Sequence, residues 1–189
     1  PITLGSDAAA SDPNVMGWMQ GFPPADDRII GYPASDYFSF PKLRWTFCHF
    51  REIQATKRVG RGVGPVSPFS EALDPAIDDV SFTPIGATEE MTWKESLDAN
   101  HTDGMLILHR GAIVYEYYSG CLDREGRHGA MSVTKSFVGT IAEILIAEGE
   151  LNESKLVGEY IPELETSAFG NATVRQVMDM TTGLDYNEN

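Results

Sequence analysis

Between residues 104 and 118 the chain alternates in short steps: Gly104-Met105-Leu106-Ile107-Leu108-His109 and Ala112-Ile113-Val114-Tyr115-Glu116-Tyr117-Tyr118 flank the turn-like Arg110-Gly111. Two β-prone runs joined by two residues predict a hairpin. Val114, Glu116 and Tyr118 share one face and Ile113, Tyr115 and Tyr117 the other, so a sheet covered on one side and partly on the other is expected. The spacing then changes. From Ser132 to about Glu148, Phe137, Ile141, Ile144 and Leu145 recur at helical intervals with Val138 and Ala142 beside them, and Gly149 follows as a stop. That pattern predicts a helix packing a broad apolar face. Shorter helices are expected from Thr92 to Asn100 and from the capping-box sequence Thr173-Val174-Arg175-Gln176 toward Met180, ended by Thr181-Thr182-Gly183-Leu184. Tyr160-Ile161-Pro162-Glu163-Leu164 is a short connection.

Upstream the pattern thins. Residues 1–41 mix Pro, Gly, Asp and Ser with scattered aromatics, the composition of an extended arm held on a larger body by separate anchors. Residues 42–189 are expected to form the globular part, opening with an ordered segment from Lys42 to Ile53. Lys57-Arg58-Val59-Gly60-Arg61-Gly62 reads as a surface loop, because its glycines match no phosphate-binding pattern.

Composition narrows the class. With 42% hydrophobic residues and 189 positions the chain can build a sizeable core. Its net charge of −14 argues against nucleic acid or an anionic membrane as a partner. No apolar run is long enough to cross a bilayer. Cys48 and Cys121 are far apart and are expected to be reduced and unrelated, which with the lack of a leader favours the cytoplasm, a secreted mature form being the alternative. His49, His101, His109 and His128 form no ligand pattern, so neither a metal site nor a cofactor is expected.

The candidate chemistry sits where the apolar helix begins. Ser132 and Lys135 are three apart, nearly one turn, so hydroxyl and amine project from the same face. A base beside a serine can make it a nucleophile, and the helix N-terminus favours developing negative charge. The tetrad alone is weak evidence, since Ser-x-x-Lys occurs by chance roughly once in a chain of this length. A second copy, Ser39-Phe40-Pro41-Lys42, is broken by proline and reads as loop. A capping serine beside a solvated lysine is the competing account of Ser132 and Lys135.

Context adds a resemblance. The hairpin, the Ser-x-x-Lys helix, Tyr-Ile-Pro-Glu-Leu and Gln-Val-Met-Asp-Met-Thr-Thr-Gly-Leu occur in the order found in the serine β-lactamase and penicillin-binding protein superfamily. Arg44-Trp45-Thr46-Phe47-Cys48-His49, Thr102-Asp103-Gly104, Met131-Ser132-Val133-Thr134-Lys135-Ser136 and Leu184-Asp185-Tyr186-Asn187-Glu188 resemble its class C and esterase-like branch, and within it the 6-aminohexanoate-dimer (nylon-oligomer) hydrolases. The likeness covers roughly residues 43–189. It implies an α/β (α+β) fold, an antiparallel sheet covered by helices beside a helical domain, of which this chain is the N-terminal half.

The resemblance also implies roles. Ser132 would be acylated, Lys135 would activate it, and the Ser132 N–H would form half of an oxyanion hole. Asp185, Tyr186 and Asn187 would approach the substrate. The family's later tyrosine and closing strand find no match here, and a lone hairpin is marginal with its edge unpaired. A second polypeptide or C-terminal half is therefore expected to complete the domain. The implied activity is a serine hydrolase acting on a small amide or ester, a linear 6-aminohexanoate-type amide foremost. β-Lactamase, carboxylesterase and D,D-carboxypeptidase are alternatives, a silent ligand-binding relative is the non-enzymatic one, and homo-oligomers are compatible with all of them.

Overall fold

The hairpin predicted from alternation is the centre of a three-stranded sheet. The computed structural model describes residues 7–31 and 36–185. Its helices are α1 (Pro13–Met16), α2 (Lys42–Ile53), α3 (Trp93–Ala99), α4 (Thr134–Ala147), α5 (Val157–Tyr160) and α6 (Val174–Met178). The strands are β1 (Ser70–Glu71), β2 (Ser81–Phe82), β3 (Met91–Thr92), β4 (Gly104–His109) and β5 (Ala112–Tyr118). The chain divides into two units, Pro1–Gly129 and Ala130–Asn189.

In the first unit β4 pairs antiparallel with β5 and β1 adds parallel to its other side, giving the order β1-β5-β4. Arg110 and Gly111 both take positive φ, 51° and 80°, the geometry a tight two-residue hairpin demands. The register shifts between Ile107 and Leu108, so Val114 is the extra residue of a bulge. β2 and β3 form a separate antiparallel pair.

The Ile113–Tyr115–Tyr117 face is the covered one. Ile113 and Tyr115 are buried, Trp93 of α3 meets the Tyr115 ring edge-on at 6.3 Å, and Lys94 sits 3.9 Å from the Tyr117 ring centroid. Burial, with the hydrogen bond to Asp78 adding to it, raises the Tyr115 hydroxyl well above the ordinary phenol value. α3 starts at the expected Thr92, and the structure adds a capping box there: the Thr92 hydroxyl accepts from the Glu95 N–H at 3.1 Å while Glu95 accepts from the Thr92 N–H at 2.7 Å.

A second cluster joins the N-terminal residues to α2. Trp18, Ile30 and Trp45 are buried together, with Met16, Met19, Tyr37 and Ile53 packed around them. His49 stacks on Trp45 at 4.0 Å and leaves helical geometry, bending α2 near its end. The cysteines correct the sequence reading. Cys48 on α2 and Cys121 after β5 form a disulfide, with Cα atoms 6.1 Å apart across a separation of 73 residues.

In the second unit a 3-10 turn, Met131–Val133, runs directly into α4, so the α-helix proper begins two residues after Ser132. Gly149, at φ 78°, ends the run after Glu148 as expected. α6 carries the predicted capping box at Thr173 and Gln176. Arg175 ties the unit together through Glu143 of α4, Glu153 and Asp179. The expected packing of the α4 stripe is not found. Phe137, Val138 and Ile141 are 67%, 61% and 57% exposed, and Ile144 and Leu145 are also open, because no described residue of the second unit covers them.

Candidate active site

Ser132 lies in the 3-10 turn and Lys135 in the first turn of α4. Residues three apart eclipse in such a turn, and the Lys135 amine donates to the Ser132 Oγ at 2.8 Å. Met131, directly before the serine, takes a left-handed φ of 45°. A non-glycine residue there stores of the order of 1–3 kcal/mol, a strain that clusters at functional positions. The pair stands at the positive end of a 14-residue helix. A hydroxyl, an amine in contact with it and a local positive potential can together transfer an acyl group.

The other expected site residues are less well placed. Asp185 is exposed beyond the Gly183 turn, and no hydrogen bond joins it to Ser132 or Lys135 among the described residues. Tyr186 and Asn187 lie outside the described residues.

Sequence reasoning passed over a polar cluster in the first unit. A cavity of about 900 Å³ opens between α2 and the start of β4, walled by Leu43, Phe47, Met105 and Leu122. Arg44, Asp103 and His128 supply its polar groups. Arg44 donates to Asp103 Oδ1 at 3.1 Å, to the Ser11 hydroxyl at 2.9 Å and to the Ala8 carbonyl at 2.7 Å. His128 meets the other Asp103 oxygen at 3.2 Å. That hydrogen bond, partly opposed by burial, raises the His128 pKa above its ordinary value. Arg44 and Asp103 fall in stretches that matched a family, yet nothing local links them to His128, which sits in a charged loop. No group of three His, Cys, Asp or Glu side chains suited to a metal occurs among the described residues.

The family described as Beta-lactamase matches residues 93–189, just over half of the chain. The chain belongs to the β-lactamase family. A 6-aminohexanoate-dimer hydrolase of Paenarthrobacter ureafaciens is 30% identical over 181 residues, 96% of this chain and 39% of that protein. A β-lactamase of Providencia stuartii is 40% identical over 53 residues, covering 28% of this chain and 14% of that one. Among solved structures, a Bacillus anthracis protein provisionally described as a 6-aminohexanoate-dimer hydrolase superposes with a TM-score of 0.70 at 32% identity, over 80% of this chain and 38% of its own. This family member thus spans about two fifths of the length of the 6-aminohexanoate-dimer hydrolase relatives it matches. The expected fold class, a β-lactamase-like mixture of sheet and helices represented in part, is borne out. No helix of the described residues is long and apolar enough to cross a membrane.

Proposed function

We propose that this chain carries the nucleophile of a serine hydrolase that cleaves a small amide or ester through an acyl-enzyme on Ser132. The observation that carries the reading is the 2.8 Å contact between the Lys135 amine and the Ser132 hydroxyl, inside the segment matched to the family. Lys135 in its amine form takes the hydroxyl proton as Oγ attacks the substrate carbonyl carbon. The Ser132 N–H donates to the oxyanion that forms. Collapse of the tetrahedral species breaks the C–N or C–O bond, the leaving group takes the proton, and water then releases the acyl group from Oγ.

The relatives' names favour a linear 6-aminohexanoate-type amide as substrate, ahead of carboxylic esters, β-lactams and D,D-peptides. Asp185, Tyr186 and Asn187 are proposed to contact it. A second polypeptide or a C-terminal half completes the domain, a reading supported by the uncovered α4 stripe, the outer edge of β4, which no strand pairs among the described residues, and the open cavity beside it. The Cys48–Cys121 disulfide favours an oxidising compartment over the cytoplasm, where thiols are kept reduced.

A fluorophosphonate probe tests the nucleophile. The full-length protein should gain one adduct by intact mass and Ser132→Ala none, with Lys135→Ala labelled slowly while its circular dichroism is unchanged. Labelling that survives Ser132→Ala would remove Ser132 from its role, and a complete, folded protein that takes no label would leave a silent ligand-binding relative. Turnover of 6-aminohexanoate dimer, nitrophenyl esters and a cephalosporin then ranks the substrates.

A further inference from the structure

Both ring nitrogens of His128 face acceptors: Nε2 lies 3.2 Å from Asp103 Oδ2, and Nδ1 lies 3.1 Å from the Gly129 carbonyl oxygen. A neutral imidazole has a single N–H and can donate to one of them; the imidazolium donates to both. The carboxylate is held in place, because its other oxygen takes Arg44 and the two side chains are only 7% and 3% exposed.

The segment bearing His128 is tied to α2 at several points. The Gly129 N–H donates to the Phe47 carbonyl at 2.7 Å, and the His128 ring lies 5.3 Å from the Phe47 ring. A Cβ at Gly129 would stand 2.3 Å from the Phe50 ring, so the backbone passes the helix as closely as glycine permits. Cys121 anchors the other end of the segment through Cys48.

We infer that His128 is a pH-dependent clasp that ties the 121–129 segment to Asp103, and through Arg44 to α2, while its second N–H braces the segment's own Gly129 carbonyl, closed while the imidazole is protonated. Arg44 from α2 opposes the imidazolium from behind the carboxylate, His101 and Tyr118 line the same cavity, and Arg127 neighbours it on its own segment. The Asp103 contact outweighs burial and raises the folded-state pKa above the ordinary 6.5. The clasp's contribution is therefore complete below that ordinary value and is lost as pH rises through the folded one. Only Ala130 separates Gly129 from Met131-Ser132 in the chain, but the clasp does not depend on what Ser132 does.

Two measurements on the full chain test it: histidine-labelled NMR titration, and amide exchange at Gly129 expressed as a protection factor from pH 5.5 to 8.5. His128 should titrate above 6.5 and return toward that ordinary value in Asp103→Asn. Gly129 protection should fall as pH rises from the ordinary value through the folded-state pKa of His128, by about tenfold for each unit separating the two, level off above the folded value, and be flat with pH in His128→Gln. A His128 pKa at or below the ordinary value, or the same pH dependence of Gly129 in His128→Gln, would overturn the clasp. Should Asp103→Asn fail to fold, the wild-type titration and His128→Gln still decide.

Discussion

Replacing both Cys48 and Cys121 by serine should cost this protein a large part of its thermal margin. The bridge closes a loop of 73 residues, and the chain-entropy relation for a loop of that size gives about 4.4 kcal/mol at 25 °C. Compact denatured states and structure already present within the loop lower that figure, so about 2–4 kcal/mol is the working expectation. For a chain of 189 residues this corresponds to a fall in Tm of roughly 4–16 °C. Differential scanning calorimetry of the oxidised protein, the protein in phosphine reductant and the double variant would measure it, with the last two agreeing. Intact mass under non-reducing conditions should be lower by two hydrogens than after reduction. Tm values within 2 °C of each other, together with two thiols that react with a thiol reagent before denaturation, would refute both the bridge and the stabilisation argued from it.

The same bridge makes proteolysis informative: trypsin should cut first in the exposed basic loop at Lys57, Arg58 or Arg61, and the two pieces should migrate together on a non-reducing gel and separate on a reducing one, since the cuts fall between Cys48 and Cys121. Asp103→Leu should lower stability in urea by about 3–5 kcal/mol by leaving the Arg44 guanidinium buried beside an apolar group, nearer the low end because Ser11 and Ala8 still accept from it; Arg44→Met/Asp103→Leu should recover most of that loss.

Features encoded by neighbours in the chain were legible in advance. The hairpin follows from two alternating runs around Arg110-Gly111, α6 follows from a capping box whose partners are three residues apart, and α3 occupies the expected stretch after Thr92. The nearness of Ser132 and Lys135 follows from the same local geometry. The disulfide and the Arg44–Asp103–His128 cluster could not be read this way, because α2, the turn before β4 and the segment after β5 meet only in the folded unit. Trp18 and Trp45 show both sides of this: aromatic anchors were foreseeable among the first 41 residues, but not that Trp18 would meet Trp45 on α2. The α4 stripe was read correctly as apolar, and its exposure shows that periodicity marks a face meant for cover without saying what covers it.

That open stripe has a consequence for handling and for sequence drift. Phe137, Val138, Ile141, Ile144 and Leu145 make a contiguous greasy strip on one helix, the kind of surface that draws copies into aggregates at working concentrations. If another segment covers the strip, as proposed, glutamate or lysine at Ile141 would keep the 189-residue chain in solution yet damage the finished protein. The same substitution would then improve expression of the piece and impair the whole. Solubility screening of the piece alone would therefore select against the surface that the assembled protein needs.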